Sequence, residues 1–303
     1  MTKASSGTPV GFIGLGIMGK PMARNLMATG MKAVITHRGP DRVADLTAEG
    51  ALWAATPADM ARQCRTIVVM LADTRQILGA LTGPDGIVHG ISAPTTLVVC
   101  SSVSARDVRS IADAAAAETA GLLRTVDAPV SGGEEGAREG TLSIMAGGTH
   151  DDYERVARVL KAFGHPRLLG PLGAGAVAKA CNQMIVAAEV MAIGEAAAIA
   201  HRSGLDVAEL LDVLSGGYAA SRILQTRARR FAEEDYSPSG MARFMVKDLA
   251  SAEDAATLVS IEAGQLHYLR SAFTELVRAG HGDEDISVTR AFVEERSRHA
   301  LRS

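Results

Sequence analysis

Along the first half of the chain, short runs of β-branched and apolar residues alternate with longer stretches whose apolar side chains recur every three or four positions. The short runs predict strands at Val10 to Leu15, Lys32 to Thr36, Thr66 to Leu71, Thr96 to Cys100, Leu123 to Ala128 and Leu142 to Ala146, with a short piece near Leu168. The longer stretches predict helices over Met18 to Thr29, Arg42 to Glu49, Pro57 to Gln63, Asp73 to Leu81, Ala105 to Thr119 and Asp152 to Phe163. Pro57 after Thr56 marks a helix start, and the GPDG at Gly83 to Gly86 is turn chemistry. Strand and helix in alternation predict a mostly parallel sheet, doubly wound, with helices on both faces.

The pattern changes at LLGPLGAGA. From Gly173 onward only helical periodicity recurs, over roughly 175–203, 206–214, 219–232, 241–260, 264–279 and 284–297. Asp206 with Glu209 forms a capping box, and Gly204 stops the long helix before it. The chain therefore divides into an α/β domain over residues 1–171 and a smaller all-α domain over 172–303, joined by that long helix. A length of 303 residues independently favours two cores over one.

Composition narrows the classes. The chain is 47% hydrophobic and 21% charged, with a formal net charge of −3, and lacks the basic excess a nucleic-acid binder uses to displace counterions. The RARR at Arg227 to Arg230 is followed by acids and reads as a solvated helix face. Three cysteines, Cys64, Cys100 and Cys181, show neither metal spacing nor a disulfide framework, so no metal is expected and reduced thiols in a cytoplasm are. The first ten residues hold no long apolar block, so no secretory leader is expected. The apolar run at 184–200 contains Glu189 and Glu195 and reads as a buried helix, with no membrane partner.

Gly14-x-Gly16-x-x-Gly19 closes the first strand and opens the first helix. The first glycine permits a tight turn, the second lets a pyrophosphate approach the backbone, and the third lets helix pack on strand. The helix dipole then faces the anion. This context makes the first domain a Rossmann-type dinucleotide site. The end of the second strand usually carries an acid for the ribose hydroxyls of NAD. Here the position holds His37, with Arg38 next and Arg42 beyond, which favours the 2′-phosphate of NADP(H) over NAD(H), though Arg38 stacking on an adenine leaves NAD(H) open.

Ser131-Gly132-Gly133, just after a strand, offers amides and a hydroxyl to a carboxylate, as an ordinary glycine turn also would. At the start of the long helix, Lys179, Asn182 and Gln183 share one face, and the lysine stands among Ala176, Val177, Ala178, Ala180 and Cys181. Lys247-Asp248 lies in a later helical stretch.

Together GFIGLGIMGKPMARNL, DAPVSGG, GAGAVAKACNQ and KDL, in this order and spacing, resemble the β-hydroxyacid dehydrogenase family, which includes 3-hydroxyisobutyrate dehydrogenase, tartronate semialdehyde reductase and 6-phosphogluconate dehydrogenase. The likeness runs from about residue 10 to 297. It implies hydride transfer between a nicotinamide cofactor and a small β-hydroxy acid or its semialdehyde. It implies Lys179 as general acid and base, Ser131, Gly132 and Gly133 as the cradle of the substrate carboxylate, and Asn182 with Gln183 orienting substrate. It assigns to the cofactor the turn Gly14, Leu15, Gly16, Ile17, Met18 and Gly19, then His37, Arg38, Leu71, Ser102 and Lys247; Ser101 is the weaker candidate beside Ser102. Three positions depart from the family pattern: His37 for an acid, Ala72 for a common proline, and Gln183 for a common second asparagine. The alternatives are an imine reductase on the same architecture, against which Lys179 argues, and a non-catalytic cofactor sensor. A free lysine titrates near pH 10.4, so a base at that position needs its apolar neighbours, or a cationic nicotinamide, to lower it. Small apolar residues on the carboxyl-terminal helices point to a homodimer or homotetramer.

Overall fold

The computed structural model describes residues 7–300, with side chains to Arg298. Residues 1–6, on which part of the reading of the N-terminus rests, lie outside them. The chain forms two compact units that divide between Lys179 and Ala180.

Among the described residues the first unit holds nine strands: β1 (Val10–Ile13), β2 (Ala33–Thr36), β3 (Leu52–Ala54), β4 (Thr66–Val69), β5 (Thr95–Val99), β6 (Leu123–Asp127), β7 (Val130–Ser131), β8 (Leu142–Gly147) and β9 (Gly164–Gly170). Their order is β3-β2-β1-β4-β5-β6-β8-β7, with β9 on β8. All pairs from β3 to β6 are parallel; β6–β8 and β7–β8 are antiparallel and β8–β9 is parallel. Chain direction of travel reverses between β1 and β4, the switch point at which open α/β sheets bind ligands beyond their carboxyl ends. The helices are α1 (Gly19–Ala28), α2 (Ala44–Ala48), α3 (Pro57–Gln63), α4 (Thr74–Thr82), α5 (Ala105–Glu118), α6 (Gly133–Glu139) and α7 (His150–Lys161).

The strand runs are apolar without alternation because both faces are covered. Phe12, Ile35, Val68 and Val98 enter one buried cluster, while their neighbours Ile13, Val34, Ile67 and Leu97 enter the other. Phe12 meets Phe163 edge to face at 6.1 Å. Local caps launch most of the helices: Thr56, Asp73, Ser104 and Thr149 accept the amides of Asp59, Gln76, Asp107 and Asp152.

The second unit is helical. The long helix α8 (Ala174–Arg202) enters it, followed by α9 (Val207–Ser215), α10 (Arg222–Glu233), α11 (Arg243–Leu258), α12 (Gly264–Arg278) and α13 (Thr289–Ala300). Asp206 caps α9 through the Glu209 amide, as its sequence predicts. By length and composition α8 could cross a membrane, yet Ala187, Val190, Met191, Ala197 and Ala200 lie in the core of this unit. Only 39% of its apolar window is buried, and Ile185 and Ile199 are exposed, so the expectation of a buried helix holds for one face.

In the arginine run on α10, Arg229 lies on the solvated face predicted for it and pairs with Glu233, but Arg227 and Arg230 depart from it. Arg227 pairs with the fully buried Asp285, and Arg230 donates to the Ser237 carbonyl at 2.8 Å. Buried Arg290 donates to the Phe231 carbonyl at 2.6 Å and pairs with Glu234, closing the end of α10. Nearby, His281 faces Glu284 through Nδ1 and Glu295 through Nε2. Burial opposes its charge, but the two carboxylates outweigh burial and hold its pKa above the ordinary value. Stability from this clamp is therefore full below the unfolded imidazole value of about 6.5 and is lost as pH rises through the higher folded value. His281→Gln is expected to lower the melting midpoint at about pH 6 by a few degrees and to leave it unchanged at about pH 9, as thermal scans at the two pH values will show.

Candidate active site

The predicted cofactor residues other than Lys247, which lies on α11 in the second unit, gather along the carboxyl edge of the parallel strands of the first unit. The glycine turn follows β1, His37 and Arg38 follow β2, Leu71 follows β4, and Ser102 follows β5. The three glycines have different physical reasons. Gly14 has φ +95°, and a Cβ there would stand 2.1 Å from the Met70 carbonyl oxygen. A Cβ on Gly19 would stand 1.9 Å from the Gly14 carbonyl oxygen. A Cβ on Gly16 would meet nothing within 4 Å, so that glycine leaves open space outside the fold's own packing.

The first turn of α1 has no side-chain cap and no acidic residue, unlike the capped starts of α3, α4, α5 and α7. Pro21 has no amide hydrogen and the Lys20 and Met22 amides donate to the Gly16 and Met18 carbonyls, so it is the dipole of this uncapped helix start that remains for an anion. The cations beside the turn are committed elsewhere. In the cavity of about 550 Å³ that opens there, Lys20 and Arg24 bind Asp45, Arg24 binds Glu49, and Arg138 binds Glu134. The hydrogen bond from Lys20 holds the Asp45 carboxyl below its usual range. The helix dipole, rather than these side chains, supplies the positive potential at the turn. An uncapped helix start beside an open glycine fits a dinucleotide pyrophosphate.

Two residues per strand end do different work. Buried Ser101 accepts the Leu71 amide at 2.8 Å and so ties the end of β5 to the segment after β4, while Ser102 is half-buried. His37 accepts the Gly39 amide on Nδ1 at 3.0 Å and shapes the turn that carries exposed Arg38 and Arg42.

Ser131 lies in β7, a two-residue strand the sequence pattern did not predict, paired antiparallel to Ser143. Gly132 and Gly133 take φ of +138° and +64° and start α6, a helix unpredicted because GGEEGAREG reads as a turn. Glu134 and Glu135 occupy its first turn, and Glu134 is turned to Arg138. Gly132 and Gly133 are themselves exposed.

Half-buried Lys179 sits on α8 between buried Ala176 and Ala180. The start of α8 is bonded to Asp127, which sequence reasoning missed. Fully buried at the end of β6, Asp127 accepts the Gly173 amide at 2.8 Å on Oδ1 and the Ala176 amide at 2.7 Å on Oδ2. Burial raises its pKa, against the pull of those amides. A signal existed: an acid closing an apolar strand buried on both faces needs a partner.

In the second unit, Asn182 donates to Gln183 Oε1 at 2.9 Å, and Gln183 donates to Asp248 Oδ2 at 2.6 Å. Lys247 pairs with the other oxygen of Asp248 at 3.7 Å. Asp248, also missed, thereby links Gln183 to Lys247.

A glycine turn at the switch point of a doubly wound sheet, followed by a helical unit entered by one long helix, defines a two-unit dinucleotide-binding protein of the Rossmann type. Residues 9–184 match the family model for the NAD binding domain of 6-phosphogluconate dehydrogenase, and residues 173–292 that for the NAD-binding domain of NADP-dependent 3-hydroxyisobutyrate dehydrogenase. The chain is 35% identical to 2-hydroxy-3-oxopropionate reductase of Escherichia coli, over 96% of this chain and 99% of that one. It is 33% identical to NAD-dependent L-serine dehydrogenase of Pseudomonas aeruginosa, over 92% and 95%. The crystal structure of 3-hydroxyisobutyrate dehydrogenase from Salmonella typhimurium superposes with a TM-score of 0.85 at 29% identity, covering 94% of this chain and 99% of that one. The chain belongs to the 3-hydroxyisobutyrate dehydrogenase-like β-hydroxyacid dehydrogenase family, NAD(P)-dependent oxidoreductases of small hydroxy acids.

Proposed function

We propose that the protein interconverts a small β-hydroxy acid and its semialdehyde, of the 3-hydroxyisobutyrate or tartronate semialdehyde class, with NADP(H) preferred and Lys179 moving the proton. The observation that carries this reading is the lysine's setting: a half-buried residue about one and a half turns past a helix start that is bonded to the end of the sheet. Ser131, Gly132 and Gly133 hold the substrate carboxylate through amides and hydroxyl, and the neighbours Asn182 and Gln183 orient the substrate. Gly14 to Gly19 hold the pyrophosphate, with Leu71 and Ser102 at neighbouring strand ends and Lys247 toward the nicotinamide. The chemistry that a bound nicotinamide supplies is hydride transfer. In reduction Lys179 donates a proton to the alkoxide oxygen as it forms; in oxidation its neutral amine accepts the hydroxyl proton. The names of the relatives, a reductase of 2-hydroxy-3-oxopropionate and a dehydrogenase of 3-hydroxyisobutyrate, support a short substrate.

A panel of short 3-hydroxy acids, tartronate semialdehyde, L-serine and cyclic imines, assayed with NADPH and NADH, tests the proposal. Turnover is expected on a hydroxy acid or semialdehyde, with higher kcat/KM for NADPH. Turnover on imines alone would point to the imine reductase reading. Preference for NADPH is attributed to the exposed Arg38 and Arg42 in place of an acid. Arg38→Ala is therefore expected to cut kcat/KM for NADPH by about ten- to hundredfold and to spare NADH, since one guanidinium–phosphate contact contributes about 1.5–3 kcal/mol.

A cytoplasmic location belongs to the same proposal, supported by three free thiols. So does a homo-oligomer, supported by Ile185 and Ile199 on the uncovered face of α8. Light scattering after gel filtration is expected to return a dimer or tetramer mass; a monomer mass would remove that part.

A further inference from the structure

The other side-chain caps in the first unit are local: Thr56, Asp73, Ser104 and Thr149 each take an amide three residues onward. The start of α8 is held from a distance. Its amides go to a carboxylate 46 and 49 residues earlier in the chain, at the end of a central part of the sheet. The contact is built by two glycines. A Cβ on Gly147 would stand 2.4 Å from Asp127 Oδ1, and a Cβ on Gly175 would stand 2.8 Å from Oδ2 and 2.1 Å from the Met145 carbonyl oxygen. Gly173, with φ +96°, turns the chain into the helix. Glycines in GAGAVAK thus serve the docking of the helix start onto Asp127 and β8, and Lys179 follows the clamped Ala176 amide by three residues. In the other direction, the chain leaves Asp127 through Ala128, Pro129 and Val130 and reaches Ser131.

We infer that Asp127 is a positioning residue: its buried carboxylate clamps the first turn of α8 to the end of β6 and so fixes where the Lys179 amine stands relative to Ser131, Gly132 and Gly133. The inference rests on the proposal that Lys179 moves the proton. A helix start held by two bonds to one rigid carboxylate cannot pivot or slide along its axis. Loss of one bond releases that motion, and a displacement of about 1 Å at reacting atoms costs about 10²-fold in rate.

The test compares Asp127→Asn and Asp127→Glu with wild type, using NADPH and the fastest substrate of the panel above. Asparagine keeps the shape but turns an amino group toward an amide donor; glutamate keeps both acceptors on a longer stem. Four quantities are measured: kcat, KM, the Kd of NADPH, and amide hydrogen exchange over residues 173–179. For Asp127→Asn, kcat is expected to fall about 10²-fold, with KM and the NADPH Kd within about threefold and faster exchange over 173–179. Asp127→Glu recovers part of the rate. In a Lys179→Ala background the asparagine substitution adds no further loss, because the two residues act as one unit. Unchanged kcat with faster exchange overturns the inference, as does an NADPH affinity that falls in step with kcat, or a full additional loss in the Lys179→Ala background. Should Asp127→Asn fail to fold, Asp127→Glu carries the same comparison, and wild-type kcat with faster exchange overturns the inference there too. If Lys179→Ala alone keeps wild-type turnover, the acid–base proposal falls; faster exchange in Asp127→Asn then shows the clamp exists but positions no proton donor.

Discussion

Lys179→Ala is expected to lower kcat by about 10³-fold while the Kd of NADPH stays within about threefold of wild type. The reasoning begins with what each part of the first unit supplies. On the proposed reading, nucleotide affinity comes from the Gly14–Gly19 turn and the uncapped start of α1, which a change on α8 leaves intact. The proton must come from a side chain, and a positioned general acid or base contributes about 10²–10⁴-fold. Because hydride reaches the carbinol carbon while the proton goes to its oxygen, removing the amine leaves the alkoxide to be protonated by water. Lys179→Arg keeps the charge but, with a pKa above about 12, has no neutral form to accept a proton. It is expected to fail more severely in the oxidative direction than in the reductive one. Stopped-flow NADPH binding and steady-state assays in both directions measure this. An alanine variant that turns over at the wild-type rate with normal NADPH affinity removes Lys179 from the mechanism.

Gly14→Ala and Gly16→Ala are expected to fail in opposite ways. At Gly14 the new methyl group would stand 2.1 Å from the Met70 carbonyl oxygen, on a backbone with φ +95°. The conformation alone costs about 1–3 kcal/mol. Relieving the clash also requires β1 and β4 to move apart at the bond from the Met70 amide to the Ile13 carbonyl, 2.8 Å in length. A loss of about 3 kcal/mol or more follows, placing this among the severe substitutions. At Gly16 the methyl group meets nothing within 4 Å, so the apoprotein is expected to melt within about 1 °C of wild type. There the cost appears only with ligand: the methyl group occupies the space into which a pyrophosphate must come, and the NADPH Kd is expected to rise about 10²-fold or more. Thermal melts with and without NADPH separate the two cases. Equal destabilisation of both apoproteins would mean that Gly16 is a packing glycine and that the pyrophosphate contact lies elsewhere.

The same contrast shows which residues could be found without coordinates. Gly14, Gly16 and Gly19 were found as a group by their spacing between a strand and a helix, but spacing does not tell a glycine needed by the fold from one needed by a ligand. Asp127, the first residue of DAPVSGG, carries only the weak signal of an acid closing an apolar strand, and Asp248 after Lys247 looks like any surface acid. Only the burial of Asp127 at the end of β6 and of Asp248 on α11 reveals that each must be partnered. Arg227 and Arg230 erred the other way: beside FAEEDY they read as solvated, yet Asp285 and the Ser237 carbonyl take them up. Short elements escaped for another reason. Strands β3 and β7, of three and two residues, and the glycine-rich α6 carry too few side chains for a period to show.

By itself the sequence determined the doubly wound sheet, the helical second unit and the family, because those follow from local periodicity and from motifs contiguous in the chain. Only the tertiary structure decided which amide meets which carboxylate across 46 or more residues, which glycine faces packing and which faces open space, and which arginines are buried. Those depend on contacts between segments distant in sequence. Their energies arise from burial and hydrogen-bond geometry, and neither quantity is a property of any short stretch of residues.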